Sequence, residues 1–427
     1  MAAFPPLLAG VCDPRRPAKI FYSLPSLLFT GVLLFVCRLG ARRQVSLLLR
    51  TPAAAEKLLT LFGVDGVPHG DTLENLCRRL DVGALQEVVA RMPERLIRKK
   101  VLYPYRLLDR WYVVAVDGTG TVTYHRRHCP HCLTRTHQGS ITYYHNVLEA
   151  KLVTPNGLAL SLWTEFIENP GEHPTKQDCE LKAFYRLAAR LKARFPRLPI
   201  LLSMDGLFAG GPVFDLCRTH GWGFMVVLKN DGLPSVNEEF HALAPLQATN
   251  RLARHTGEAA AIHQRFRWVE DIAYVDTAKR EHTLAVIECV ETTPDATGVR
   301  TSKTFRWVTA CRVTEKTVLT LAEYGGRLRW KVENEGFNVQ KNGGFALEHA
   351  FSNNPTSAKI FYLLLQIAHT IAQLLERGSL LTHLFPRGFG SHKNLAFRLL
   401  EAWRNAPPTP CLLNPQAPRV QIRIDSS

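Results

Sequence analysis

Hydrophobic and polar positions change period several times along the chain. Over 71–100, Leu73, Leu76, Leu80, Leu85, Val88 and Val89 recur at roughly helical steps, which predicts an amphipathic helix. Residues 1–108 as a whole read as helical. From Trp111 the period shortens. Residues 112–116 (Tyr-Val-Val-Ala-Val) are apolar and β-branched, and predict a strand that stops at Asp117-Gly118-Thr119. Two further strands are expected over 147–153 and 158–167, joined by the turn Thr154-Pro155-Asn156-Gly157. A helix follows over 177–195, with Leu181, Phe184, Leu187, Ala188 and Leu191 on one face and Asp178 as its cap. A buried strand over 200–204 ends in Asp205-Gly206, and a short helix (213–219) and a strand (223–228) complete an α/β unit.

Residues 231–318 read as a separate strand-rich block. Strands are expected at 266–269, 283–290 and 304–310, with an exposed loop over 294–302. Helix returns from Thr317 through Trp330 and Glu333, and again after Thr356. The last residues, with Pro407, Pro408, Pro410, Pro415 and Pro418, suggest an extended tail. Five regions result: 1–108 helical, 109–230 first part of the core, 231–318 β-rich insertion, 319–380 second part of the core, and 381–427 tail. Three antiparallel strands followed by helix-separated parallel strands is the RNase H topology. The expected class is therefore α/β: an RNase H-like core, a mixed sheet flanked by helices, with an inserted β-rich domain and a helical N-terminal region.

Two apolar runs bear on membranes. Leu24–Val36 contains Pro25, is followed by Arg38, and is too short to span a bilayer. The run 360–375 is interrupted by Gln366, His369 and Gln373, starts after Asn354-Pro355-Thr356 and stops at Gly378. Both are expected as core helices of a soluble, cytoplasmic protein without a secretory leader. The ten cysteines are scattered, unlike a disulfide framework, and are expected to be reduced. Charge narrows the class further. With 53 Lys+Arg against 37 Asp+Glu the net charge is +16, which favours a polyanionic partner, most commonly nucleic acid. Arg91, Arg95, Arg98, Lys99 and Lys100 crowd the end of the first predicted helix. Solvation of a helix face or contact with a DNA backbone accounts for them equally well.

Phosphoryl transfer between nucleic-acid strands uses two divalent metals about 3.5–4 Å apart, held by a few carboxylates. Asp117 and Asp205 end strands that would be sheet neighbours, so their side chains could converge at one edge. The glycine after each leaves room for close approach of a substrate backbone. Asp178, Glu180 and Asp215 are explained by helix capping or surface exposure. The third acid should come from the helix 327–341, which offers Glu333 and Glu335. Helical spacing groups Arg329, Glu333 and Gln340, with Leu328, Val332 and Val339 on another side; it puts Glu335 nearer the apolar stripe without excluding it.

Asp117-Gly-Thr, Asp205-Gly and Arg329-Trp-Lys-Val-Glu333, with Phe337-Asn-Val-Gln-Lys-Asn342 and Leu347-Glu-His349, resemble a DDE transposase of the bacterial insertion-sequence, cut-and-paste type. The resemblance spans about 71–380. It implies a metal-dependent nuclease and strand transferase in which Asp117, Asp205 and Glu333 hold two Mg2+ (or Mn2+) ions, and it selects Glu333 over Glu335. It implies Arg329 as a phosphate clamp, with Lys341, Arg327 and Tyr324 as further DNA contacts. The family's tyrosine place is Gly326 here, and its lysine place is Gln340. DNA partners would be terminal inverted repeats and target DNA, met by a homodimer in the prokaryotic cytoplasm at the nucleoid, with no membrane. The rival is a catalytically inactive, transposase-derived DNA-binding protein; a weaker one is a zinc-dependent hydrolase centred on Cys129 and Cys132.

Between Asp117 and the second strand lies Tyr124-His-Arg-Arg-His-Cys-Pro-His-Cys132, with His137 and His145 beyond. Cys129 and Cys132 match one half of a structural zinc site, and several histidines are available for the other half. Reduced cysteines in a His-rich, DNA-facing loop are the alternative. Trp268 and Trp307, in the strand-rich block, are expected in the core, with support of an unstacked base as the alternative role.

Overall fold

The computed structural model describes residues 4–172, 174–257, 261–295, 298–379, 381, 388 and 390–407. Helices α1 (Phe4–Leu7), α2 (Leu24–Val36), α3 (Arg42–Leu48), α4 (Pro52–Phe62), α5 (Gly70–Cys77) and α6 (Val82–Arg98) precede the first strand. The single helix expected over 71–100 is thus two. Asp81 accepts a hydrogen bond from the Gly83 amide and starts α6 afresh.

The sheet begins with β1 (Tyr112–Tyr124), β2 (Leu133–His137), β3 (Ser140–Val153) and β4 (Ala159–Ile167). Then come α7 (Glu180–Arg194), β5 (Ile200–Met204), α8 (Gly211–His220), β6 (Gly223–Val227) and α9 (Pro234–Leu243). Four strands follow: β7 (Arg251–Thr256), β8 (Ile262–Val275), β9 (Glu281–Pro294) and β10 (Arg300–Thr309). A helical segment runs from α10 (Val318–Thr320) to α11 (Val339–Asn342) through π-helical turns at Leu321–Gly326 and Val332–Asn338. The long helix α12 (Pro355–Arg377) and α13 (His392–Asn405) complete the described chain.

The protein is a mixed α/β fold built on one ten-stranded sheet in the order β2-β3-β1-β5-β6-β10-β9-β8-β7, with β4 on β3. β3 is antiparallel to β1 and β4, whereas β1, β5 and β6 are parallel. Alternation in β1 sends Tyr112, Val114 and Val116 to the face covered by α7 through Phe184, Leu187 and Leu191. Trp111, Val113 and Ala115 point the other way, against Leu321, Leu328, Val332 and Phe337 of the segment 318–342.

Several expectations change. The strand-rich block is not a separate domain. β10 pairs antiparallel with β6, covering an edge that would otherwise expose unpaired backbone groups, and Val269, Ile272, Leu284, Val286 and Val308 enter the same core as α7. Nor do the N-terminal helices stand apart, because α2, α4, α5 and α6 share one core with α12. Within 381–427, residues 392–405 are helical rather than extended, and Trp403 packs against Phe29; the prolines from Pro408 on lie outside the described residues. Asp178 does not cap α7, whose N-cap is Cys179; its carboxylate binds Arg186 instead.

The two apolar runs are core helices. Twelve of the thirteen residues of α2 are buried. α12 is capped by Asn354, which accepts from the Ser357 amide, and ends at Gly378. Among the described helices α12 alone is long and apolar enough to cross a membrane, and 72% of that stretch is buried in the protein. Its polar residues make an internal network. Lys151 forms a buried ion pair with Glu149 (3.2 Å) and donates to Gln366 (2.6 Å). Gln340 of α11 donates to Gln366 (2.9 Å) and to His369 Nδ1 (3.0 Å), which Gln373 also reaches (3.1 Å). These bonds fix the segment 318–342 between sheet and α12.

Candidate active site

The Asp117-Gly118-Thr119 step is not a turn. β1 continues through it to Tyr124, paired with β3 at Asp117↔Glu149 and Gly118↔Leu148. What stops here is the parallel pairing with β5, whose last register is Val116↔Met204. Asp117 and Asp205 therefore leave the parallel ladder side by side. Asp205 accepts from the Leu207 amide (3.2 Å) and starts a short 3-10 turn, Gly206–Phe208. Lys229, just after β6, forms an ion pair with it at 3.3 Å.

Asp117 is reached from the opposite side by the helical segment. Arg329 Nη1 donates to Asp117 Oδ2 at 2.9 Å, and the Gly118 amide donates to Asp117 Oδ1 at 3.0 Å. Burial raises the Asp117 carboxyl above the usual carboxylate range. Arg329 and the Gly118 amide pull it down, and the charges of Glu333 and Asp205 push it up again. Glu333 is exposed on the π-helical turn, within electrostatic reach of Asp117. Glu335 points elsewhere, paired with Lys331 (3.1 Å) and with Arg377 of α12 (3.1 Å). The π geometry breaks the regular helical spacing, and Gln340, grouped with Glu333 by sequence, is buried in the internal network instead.

Glu180, set aside as a surface or capping residue, belongs to this cluster. It opens α7 on the other face of the sheet, and a Cβ at Gly118 would overlap its carboxylate. Burial raises its carboxyl, and the charges of Asp117 and Asp205 raise it further. At Gly206 a Cβ would lie 2.9 Å from the Lys229 side chain. Both glycines make room for protein side chains at the cluster. The sequence signal for Glu180 was its place in the first turn of an amphipathic helix aimed at the strand end; Lys229 carried none.

Asp117, Asp205, Glu333 and Glu180 are linked through their charges at Asp117 and Glu180, although among the described residues no three of them bring one oxygen each within 4.8 Å of one another. Their hard oxygen donors suit Mg2+ or Mn2+; burial raises Asp117 and Glu180 first, and the neighbouring acids add a smaller upward push that a divalent cation would relieve.

The other expected DNA contacts lie outside the acid cluster. Arg327 pairs with Glu291 (2.7 Å) and Glu323 (3.4 Å) and lies over the Phe305 ring, so it ties the helical segment to the strands β9 and β10. Lys341 pairs with Glu348 at 3.2 Å. Tyr324 is exposed. Trp268 and Trp307 are core residues, Trp307 packing so closely on Gly326 that a Cβ there would meet it at 2.6 Å. The exposed tryptophan is Trp330, 55% accessible between Arg329 and Lys331. Of the basic group ending α6, Arg91 binds the Leu7 and Ala9 carbonyls, and Arg95, Arg98, Lys99 and Lys100 are exposed. Cys129 and Cys132 are buried beside His145, beyond Asp117 along the β1–β3 ladder.

No family model matches the chain, and no curated protein matches it.

Proposed function

We propose that the chain is a DDE-type DNA transposase with an RNase H-like core. What carries the proposal is that Asp117 and Asp205 follow the last paired residues of neighbouring parallel strands, and that the charge of Glu333, on the helical segment covering them, is felt at Asp117. The strand order β4-β3-β1-β5-β6, with β3 alone reversed, supports the RNase H-like core. The net charge of +16 supports a DNA partner.

Asp117 and Asp205 would hold two Mg2+ or Mn2+ ions, and Glu333 would complete one of them. Bound there, the ions supply polarisation of the attacking and leaving oxygens and neutralise developing charge. Arg329, fixed on Asp117, presents a guanidinium at the same edge and positions a phosphate. Lys229 holds Asp205 in place by its ion pair. Trp330 offers an exposed ring beside these groups on which a frayed base can stack. Hydrolysis at the transposon ends would then be followed by attack of the freed 3′-hydroxyl on target DNA, with two protomers pairing the two ends.

The test is nicking of DNA that carries the short inverted repeats flanking the coding region, with Mg2+ or Mn2+ present. Asp117→Ala is expected to abolish nicking and keep DNA binding. Nicking that survives this change sinks the carboxylate assignment. Binding without nicking by the unaltered chain would instead favour a non-catalytic DNA-binding protein.

A further inference from the structure

The residues 129–145 carry a second site that owes nothing to the acid cluster. Cys129 Sγ and Cys132 Sγ lie 3.6 Å apart, and each is 3.4 Å from His145 Nε2. A disulfide would need about 2.05 Å between the sulfurs. Around a tetrahedral zinc, bond lengths of about 2.3 Å to sulfur and 2.0–2.1 Å to nitrogen place two sulfurs roughly 3.8 Å apart and sulfur and nitrogen roughly 3.6 Å apart. The observed triangle is within a few tenths of an ångström of that figure on every side.

Local structure holds this triangle in place. The two cysteines flank a tight turn in which the amides of His131 and Cys132 face Cys129 Sγ. Asn169 clamps the turn from the end of β4: its side chain donates to the Cys132 carbonyl (2.8 Å), its amide donates to the His131 carbonyl (3.2 Å), and its carbonyl meets His131 Nδ1 (2.9 Å). His145 is set on β3 opposite Val122 of β1, and its carbonyl accepts from Thr121 Oγ1. Both sulfurs are buried. Two thiolates and one imidazole form a soft donor set that selects zinc over magnesium. Among the described residues this is the one group of three ligand atoms lying within 4.8 Å of one another.

We propose that Cys129 Sγ, Cys132 Sγ and His145 Nε2 bind one Zn2+ ion, whose fourth position is filled by water. Cys129 and His145 line a cleft also bordered by Glu168, Asn353 and Lys359, from which water reaches the ion. His128 does not supply the fourth ligand: its Nε2 bonds to the Asn353 carbonyl at 2.9 Å and its ring stacks on Tyr124. The ion clasps the turn before β2 to β3, beyond Asp117 on the same ladder. The proposal stands whether or not the chain is a transposase.

The test is metal content of the full chain purified under reducing conditions, with cobalt substitution as an independent readout. One zinc per chain is expected, and Co2+ added to chelator-treated protein should give a thiolate-to-cobalt charge-transfer band. Cys129→Ser and His145→Ala should lose both, His145→Cys should retain the metal, and Asp117→Asn should keep full zinc content. Absence of zinc together with absence of the cobalt band in the unaltered chain overturns the site, whatever the variants do. His128→Ala should keep the metal; loss equal to that of His145→Ala overturns the open fourth position.

Discussion

At the scale of single residues, Glu333 and Glu335 differ by two positions and by their company. Glu333 is exposed and feels Asp117, whereas Glu335 is held between Lys331 and Arg377. Glu333→Gln is expected to lower metal-dependent nicking by about 100-fold or more, the usual loss when a preorganised charged group is removed. Glu335→Gln should leave the rate within a few-fold, and equal losses in the two variants would refute the assignment. Glu180 gives a stability readout. Its carboxyl is raised in the folded chain by burial, then by Asp117 and Asp205. A raised carboxyl means the folded state binds the proton more tightly, so its ionisation weakens folding as pH rises from the unfolded carboxylate range. Without divalent metal, Glu180→Gln should raise Tm at neutral pH by about 1–3 °C, and the gain should vanish near pH 4. A neutral-pH Tm that stays level or falls would contradict the crowding of charge at this edge.

Among elements, the segment 318–342 depends on α12. Gln340, Gln366, His369 and Gln373 bond to one another with no exposed member, and Lys151 joins them from β3. Gln366→Leu leaves Gln340 Oε1 without its donor and takes one partner each from Lys151 Nζ, which keeps Glu149, and from Gln340 Nε2, which keeps His369. The expected cost is roughly 1–3 kcal/mol by chemical denaturation, since a buried polar atom left unsatisfied loses its hydration. The same network makes stability depend on pH. His369 is held well below its ordinary value of 6.5 by burial, with Lys151 and Arg38 adding repulsion. On acidification the unfolded chain takes up this proton first, so the contribution is complete above about pH 6.5 and declines below it. Replacement by Gln should flatten that part of the stability profile; an unchanged slope between pH 6.5 and 5 would show that His369 is not the group responsible.

For the whole molecule, the charge excess sets the terms of association. With a net charge of +16, the proposed DNA binding should be dominated by counterion release. If about six phosphates are contacted, the affinity should drop on the order of 10³-fold between 50 and 200 mM salt. A salt-independent Kd, measured by fluorescence anisotropy, would rule out backbone binding as the main source of affinity. The arrangement of the units also matters here. The N-terminal helices share a core with α12, and β7–β10 extend the central sheet. Truncation at either junction is therefore expected to expose core, not to release a folded piece.

The individual strands and helices of the core were legible in the chain, because alternation in 112–116 and 200–204 and helical spacing in α7 are local properties. Asp117 and Asp205 were legible for the same reason: apolar strands run directly into them. Strand limits were less so. β1 runs on through Asp117 because β3 supplies a partner up to Tyr143, and β2, β7 and α9 went unseen for want of a strong apolar period. Pairing of β10 with β6, which turns an expected domain into an extension of one sheet, depends on contacts between residues about 80 positions apart. The same holds for Glu180, which reaches the acids only because α7 crosses the opposite face to Gly118, and for His145, which meets Cys129 and Cys132 only once β1 and β3 are in register. Short-range pattern thus determined the types of element, the two strand-borne aspartates and the basic charge. The third dimension decided which distant acids, sulfurs and imidazole share a site, since a charge or a lone pair acts over a few ångströms of space regardless of separation along the chain.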